Sequence, residues 1–338
     1  MKKFVIRMVA LLATHLLLLG VCIFWASRSF MTWDEYAAGF TRQLPKTPPS
    51  PMPAANPQRH TIVTYNVGYA SGLTNNSGSN ASKEEYAQNI QTIITALGKV
   101  NPDIVAMQEV DFDSARSYGQ DQPLLFSEGL GLTYRACEYT WALNYVPFPY
   151  GLPSHNFGRI LSGQCIASRY PLEKFSKVTM PKPEENPFWY NLFYLDRIIQ
   201  MAEITIDSHR LVIVNVHLEA YKRKTREAQA AIVAAMLGDY ADRPLILLGD
   251  FNARPPWQTD EPTIATILAV PGMHKEIPKE TYEAEGERTF YTSNSGHPTK
   301  TIDHIFYNDK IKCINAKVLK DAGTGSDHLP VMMEFEFN

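Results

Sequence analysis

Four short runs, "TIVTYN" (61–66), "IVAMQE" (104–109), "LVIVNVH" (211–217) and "LILLGD" (245–250), share one design: an aliphatic stretch that stops on a polar side chain. Their length and branched residues read as β-strands. Apolar side chains at nearly every position require cover on both faces. Helical patterns separate them. "SKEEYAQNIQTIITALG" (82–98) opens with a capping box from Ser82 to Glu85 and carries Ile90, Ile93, Ile94 and Leu97 at helical spacing. Gly98 and the Asn-Pro at 101–102 close it. "TREAQAAIVAAMLGDY" (225–240) is an alanine-rich helix. This alternation predicts an α/β chain, or an α+β chain with packed sheets.

The amino terminus differs. Lys2, Lys3 and Arg7 lead into "MVALLATHLLLLGVCIFWAS", where only His15 interrupts about 19 apolar residues, enough to span a bilayer. No small-x-small cleavage site follows, and Val21 fits poorly before Cys22 as a lipoprotein signal. Residues 1–27 are therefore expected to be a retained, single-pass signal anchor. The basic start favours an extracytoplasmic body, and Arg28, Arg42 and Lys46 on the far side oppose that vote. Residues 28–58, proline-rich from 43 onward ("QLPKTPPSPMPAANPQ"), read as an extended spacer. Residues 59–338 show no second linker and no repeat, and are expected to form one monomeric domain.

The formal net charge of −3 gives no global field to draw in nucleic acid, so such an activity would need a local patch. The cysteines, Cys22, Cys137, Cys165 and Cys313, contain no C-x-x-C pair, which argues against a thiolate zinc site. In an extracytoplasmic domain one disulfide among the last three is expected to be available, with the pairing open.

Chemistry gathers at the strand ends. Asn66, Glu109, His217 and Asp250 stand at or beside the ends of the four apolar runs, with Asn252 just beyond. "TIDHIFY" (301–307) and "GSDHLPVMMEFEF" (325–337) are the mirror image, with Asp303, His304, Asp327 and His328 at their starts. In a sheet with antiparallel members, the start of one strand lies beside the end of its neighbour, so all these groups can share one edge. Each alone is an ordinary turn or strand-end residue, and Gly249-Asp250-Phe251-Asn252 is turn chemistry too. Their number is what argues for a site. Carboxylates, amides and two histidines without cysteine suit a hard cation, Mg²⁺ or Mn²⁺. Such an ion commonly shares a phosphate with its substrate. No phosphate-binding G-x-x-x-x-G-K-[ST], kinase-type loop or G-x-S-x-G is present, which leaves metal-assisted phosphoester hydrolysis.

In this order "TYNVG", "MQEVD", "SGQCIASRYPL", "DRIIQMAEI", "NVHLEAY", "LLGDFNARP", "TIDHIFY" and "GSDHLPV" resemble the successive motifs of the endonuclease/exonuclease/phosphatase superfamily, over residues 60–338. The resemblance implies a four-layer DNase I-like sandwich of two packed mixed β-sheets flanked by helices. It implies Glu109 as principal metal ligand with Asn66 beside it and Asp327 assisting. Asp250 would activate or orient water, and Asn252 would hold the scissile phosphate. His328, oriented by Asp303, would stabilise developing phosphoryl charge, with His217 alongside. Arg197 matches a phosphate-facing arginine of some relatives, and a surface salt bridge is its plainer reading. His304 departs from the family pattern and is expected to be a packed strand histidine.

Substrate signals are weaker. "YTWALNYVPFPYGLP" (139–153) and "NPFWYNLFY" (186–194) read first as packed loops, then as an amphipathic lip for lipid head groups, then as stacking platforms for single strands. "YKRKTR" (221–226) is a solvated helix start or a phosphate-contacting rim. Three functions follow: a membrane-anchored phosphodiesterase for a lipid head group or other envelope phosphoester, an anchored nuclease, or a catalytically silent binding domain.

Overall fold

The structure, a computed structural model, describes residues 2–43, 58–75, 81–148 and 155–338. Its helices are α1 (Lys2–Ala26), α2 (Trp33–Ala38), α3 (Lys83–Gly98), α4 (Gln122–Leu130), α5 (Phe188–Asn191), α6 (Arg223–Leu237), α7 (Thr263–Leu268) and α8 (Lys279–Glu285). The first strands are β1 (Phe40–Gln43), β2 (His60–Asn66), β3 (Ile104–Asp111), β4 (Tyr134–Val146), β5 (Gly158–Ser168), β6 (Leu172–Thr179) and β7 (Ile198–Ile206). They continue as β8 (His209–His217), β9 (Leu245–Asp250), β10 (Met273–Lys275), β11 (Asp303–Asn308), β12 (Ile311–Val318) and β13 (Val331–Phe337).

Among the described residues the strands form two mixed sheets, ordered β1-β4-β5-β3-β2-β13-β12 and β10-β11-β9-β8-β7-β6. Each sheet contains one parallel pair, β2 with β3 and β8 with β9. A parallel pair needs a crossover, which α3 and α6 supply. The capping box is present at α3, where the Ser82 side chain accepts from Glu85 N–H and Glu85 reaches back to the Ser82 backbone.

The aliphatic runs are sorted by the strand's two-residue period. Ile62, Ile104, Ile213, Ile246 and Leu248 pack between the sheets. Val63, Val105 and Met107 face outward under Tyr86, Ile90, Ile93 and Leu97 of α3. Val212, Val214, Leu245 and Leu247 face outward under Ala230 and Val233 of α6 and Ile264 of α7. The result is the four-layer sandwich of two sheets and two helical covers. Each aliphatic side chain so buried contributes about 1.5–3 kcal/mol relative to exposure.

Near the strand ends the inter-sheet filling turns polar. Gln108 Nε2 donates to Asn215 Oδ1 at 2.7 Å, Asn215 Nδ2 to Gln200 Oε1 at 2.9 Å, and Gln164 Nε2 to the Asn215 carbonyl at 3.2 Å. Buried side-chain hydrogen bonds of this kind fix how the two sheets sit on one another. Gln108 precedes Glu109 directly, and Asn215 lies two residues before His217. The network therefore seats two of the expected site residues.

Two expectations are revised. The folded body does not begin at Arg59, because residues 28–43 are more than spacer. Thr32 caps α2 in a capping box, and β1 pairs antiparallel with β4 as an edge strand. Tyr36 donates to Asp196 Oδ2 at 2.6 Å and stacks on Tyr139. These apolar and hydrogen-bonding partners hold the segment on the sheet; the remainder of the proline-rich stretch, 44–57, lies outside the described residues. The disulfide, left open by the sequence, joins Cys137 and Cys165, which face each other across β4 and β5. Cys313 is free and half-buried.

α1 is long and apolar, and no residue of it is buried against the domain. At 1.5 Å per residue it is about 37 Å long, enough to cross a bilayer as an anchor or to serve as a signal sequence.

Candidate active site

The ends of the parallel pairs and the starts of their antiparallel neighbours do meet. Asn66 lies opposite Gln108, His217 opposite Asp250, and Asp303 opposite Asp250. Val331 pairs with Thr64, which brings the 325–330 turn against the end of β2. Asn66, Glu109, Arg197, His217, Asp250, Asn252, Asp327 and His328 all line one cleft of about 360 Å³. Asp303 stands behind His328.

Two glycines allow the strand ends to close up. Gly249 has φ +146°, and a Cβ there would meet the Val216 carbonyl oxygen at 1.9 Å. Only glycine lets β9 approach β8 this closely. Gly163 is opposed by both Val110 and Tyr139, beside extra residues in β3 and β4. A Cβ on it would meet the Glu138 carbonyl oxygen at 1.8 Å.

The bulge in β3 aims Glu109. Strict alternation would put Glu109 on the helix-covered face with Val105 and Met107. One extra residue between Met107 and Val110, with Glu109 at φ +53°, turns the carboxylate into the cleft instead. Asn252 also has positive φ, +50°, which asparagine tolerates readily. Its Nδ2 donates to the Leu218 carbonyl at 3.1 Å, and its N–H to Asp250 Oδ1 at 2.8 Å.

Asp250 is the hub. Its Oδ2 accepts from Asn66 Nδ2 at 3.0 Å and lies 3.5 Å from His217 Nε2 and 3.8 Å from His328 Nε2. Burial first, and the neighbouring Asp303 second, push Asp250 up to about 6 against the pull of His328 and the hydrogen bonds from Asn66 and Asn252. The two histidines are set apart by their neighbours. Burial would lower His328, but Asp303 and Asp250 outweigh it and hold the ring well above its ordinary value. Its Nδ1 hydrogen-bonds Asp303 Oδ2 at 2.9 Å. His217 Nε2 lies 3.5 Å from Asp250 Oδ2 and 3.8 Å from Glu109 Oε1, both longer than the contact that locks His328. Burial, then Arg197 and His328, hold it well below its ordinary value, as a neutral ring.

Glu109 and Asp327 form a second acidic focus. Asn75 Nδ2 reaches Glu109 Oε2 at 3.0 Å and Asp327 Oδ1 at 3.4 Å. Burial, then repulsion from Asp327, raise Glu109 above the usual carboxylate range. Two repelling carboxylates that share one amide make a donor set a hard divalent cation fits. A second grouping, Asp250, Asp303 and His328, also brings ligand-type atoms within 4.8 Å of one another. There His328 Nδ1 is hydrogen-bonded to Asp303 Oδ2, and its Nε2 is directed toward Asp250 at 3.8 Å. The cleft thus contains two groupings whose donors suit a divalent cation.

Arg197 is not a surface salt bridge. It is 4% exposed, lines the cleft, and its Nε lies 3.9 Å from Glu219. Glu219 also accepts from Tyr194 at 2.9 Å and from the Tyr221 N–H at 2.9 Å. His304 is the packed strand histidine expected of it, buried between Phe251 and Phe306 with Nε2 at 2.9 Å from the Ala253 carbonyl. In "YKRKTR", Arg226 is buried on Glu261 and on the carbonyls of Glu219 and Ala220, and Arg223 pairs with Glu227 and Asp260. Those arginines build the scaffold of the rim.

Asn75 and Glu219 escaped the sequence reading. Asn75 sits in a polar stretch that looks like any turn. Glu219 left a usable trace, two residues beyond His217 and so on the same side of an extended chain. Part of the cleft lining is aromatic, with Trp141, Phe148, Phe157, Tyr190, Phe193 and Tyr194. Trp141, Val146, Phe157 and Ile160 pack together with Phe148 and Leu195, and Trp141 Nε1 donates to the Phe193 carbonyl at 2.9 Å. The two aromatic inserts thus pack on each other and wall the cleft.

The sequence profile described as "Endonuclease/Exonuclease/phosphatase family" matches residues 63–328. A Beutenbergia cavernae endonuclease/exonuclease/phosphatase is similar in structure, with 19% identity and a TM-score of 0.58 over 83% of this chain and 72% of that one. A Bacteroides thetaiotaomicron mannosyl-6-phosphatase has 17% identity and a TM-score of 0.57 over 82% and 100%. The catalytic domain of human Nocturnin, with a bound sulfate, has 17% identity and a TM-score of 0.57 over 89% and 97%. No curated protein matches the chain by sequence.

Proposed function

Since the chain belongs to the endonuclease/exonuclease/phosphatase family, whose members are metal-dependent phosphoesterases or nucleases, we propose that it is a membrane-anchored phosphodiesterase acting on a lipid head group or a similar envelope ester. The observation that carries this reading is the mixed lining of the cleft, in which acid, amide and histidine side chains share one cavity with Trp141, Phe148, Phe157, Tyr190, Phe193 and Tyr194. The polar part of the lining suits a phosphate and the aromatic part an apolar ester substituent.

Each residue takes a role from its surroundings. Asp250, held near 6, is ionised at neutral pH and still basic enough to accept the proton of the attacking water. Asn66 positions Asp250 through its 3.0 Å hydrogen bond, and its Oδ1 accepts from the Gly68 N–H. The His328 imidazolium, locked by Asp303, faces the charge that grows on the phosphoryl oxygens, and neutral His217 adds a hydrogen bond without further charge. Asn252 and Arg197 orient the phosphate. Glu109 and Asp327 would hold a divalent cation, Mg²⁺ or Mn²⁺, which would neutralise phosphoryl charge there, and Asn75 orients both carboxylates through its amide N–H groups.

A nuclease needs a free basic track along the groove. Here, among the described residues, the basic side chains that line the cleft are Arg116, Arg197 and Lys300, and the first two pair with Asp111 and Glu219, which leaves a single lysine rather than a track. The lipid reading is favoured for that reason. The test is the full-length chain in lipid nanodiscs with Mg²⁺, Mn²⁺ or chelator, offered phospholipids, a soluble aryl phosphodiester and plasmid DNA. Metal-dependent cleavage of lipid and soluble diester is expected, with loss of both in Asp250→Asn. Plasmid nicking without lipid turnover would overturn the substrate class.

A further inference from the structure

The end of α1 is fixed beside the cleft. Asn144 of β4 donates from Nδ2 to the Trp25 carbonyl and from its N–H to the Arg28 carbonyl, both at 3.0 Å. Val146, which lines the cleft, is two residues further, within about 7 Å along the strand. The exit of the helix carries interfacial chemistry: Trp25 and Phe24 are exposed, and the Arg28 guanidinium lies 4.4 Å from the Phe24 ring centroid.

The segment around α5 divides by side chain. Tyr190, Phe193 and Tyr194 line the cleft. Between and before them, Phe188 is 79% exposed, Trp189 49% and Leu192 42%. Large apolar residues that cluster in the open beside a binding cleft mark a contact surface. Phenylalanine and leucine suit the bilayer boundary, and tryptophan suits it best.

We propose that Phe188, Trp189 and Leu192 form a second contact with the bilayer that α1 enters, so that the cleft opens at the membrane surface and takes its diester from the lipid phase. The inference rests on α1 as a retained anchor and deepens the lipid reading. The occupant is the phospholipid bilayer, because α1 ties the cleft rim to it covalently. A chain held at Asn144 cannot carry its cleft far from the membrane.

The test uses the full-length chain in nanodiscs with or without brominated phosphatidylcholine. The emission contributed by Trp189, taken as wild type minus Trp189→Phe, should fall about twofold with the brominated lipid. An unquenched contribution overturns the proposal, and a Trp189 shielded instead by a second copy does so too. In the same discs, Phe188→Asp/Leu192→Asp should slow phospholipid hydrolysis about tenfold and leave the soluble aryl diester within about twofold. Equal effects on both substrates overturn it. If wild type cleaves the soluble diester and no lipid, the functional reading fails, and the Trp189 quenching still decides the docking on its own.

Discussion

The two βαβ units, β2-α3-β3 and β8-α6-β9, deliver functional groups to the same cleft by different means. In the second unit His217 and Asp250 are direct neighbours in register, and Gly249 lets the strands close up. In the first, Asn66 is opposed by Gln108, and Glu109 reaches the cleft only through a bulge at φ +53°. A non-glycine residue held at such an angle costs on the order of 1–3 kcal/mol. The unit that presents the proposed base is regular, and the unit that presents the proposed metal ligand is strained. Placement by register comes with the sheet, whereas placement by a bulge has to be held there by neighbours such as Gly163 and Asn75.

The largest effect expected is common to both units. Asp250→Asn and Glu109→Gln should each lower kcat by about a thousandfold or more in the diester assay. Wild-type turnover in Glu109→Gln would remove the first unit from the chemistry. Stability should then separate the units by sign. Gly249→Ala, forced against the Val216 carbonyl, should lower the urea-unfolding free energy by about 3 kcal/mol. Glu109→Gly should raise it by about 1 kcal/mol while abolishing activity, since the strained φ is relieved. A fall in stability for Glu109→Gly would show that the bulge is not strained.

Asn75→Ala should weaken metal activation about 10- to 100-fold, read as the Mg²⁺ concentration for half-maximal rate, with kcat at saturation little changed. The smallest effect lies away from the cleft, where Glu138 of β4 and Lys177 of β6 pair across the sheets at 3.5 Å. Burial, against the pull of Lys177, raises Glu138 from 4.5 to about 7. A carboxyl raised on folding stabilises fully below its unfolded value, and that contribution is lost as pH rises through the folded one. Melting temperature should therefore decline between about pH 4.5 and 7 less steeply in Glu138→Gln than in wild type. Parallel curves would show that Glu138 does not titrate in this window.

Much of this was legible in the sequence. Continuous aliphatic strands require cover on both faces, and two sheets with helical covers provide it. The capping box at Ser82 started α3 where it was expected. Strand-end polar residues converged because the start of an antiparallel strand must lie beside its neighbour's end, as Asp303 does beside Asp250. His304 was readable as packing. Residues 28–43 were misread as spacer because a four-residue edge strand and a two-turn helix leave little periodicity to detect.

Local pattern thus determined the class of fold, the edge on which the site sits and most of its residue types, since side-chain alternation and helical spacing are properties of one segment at a time. Tertiary structure alone decided how those groups were aimed and charged. The bulge that turns Glu109 depends on where β5 places Gly163. The difference between a charged His328 and a neutral His217 depends on Asp303, which arrives from a distant strand. The disulfide between Cys137 and Cys165 depends on the register of β4 against β5. Each is fixed by a partner remote in sequence, and pairing between remote segments is what a local pattern does not contain.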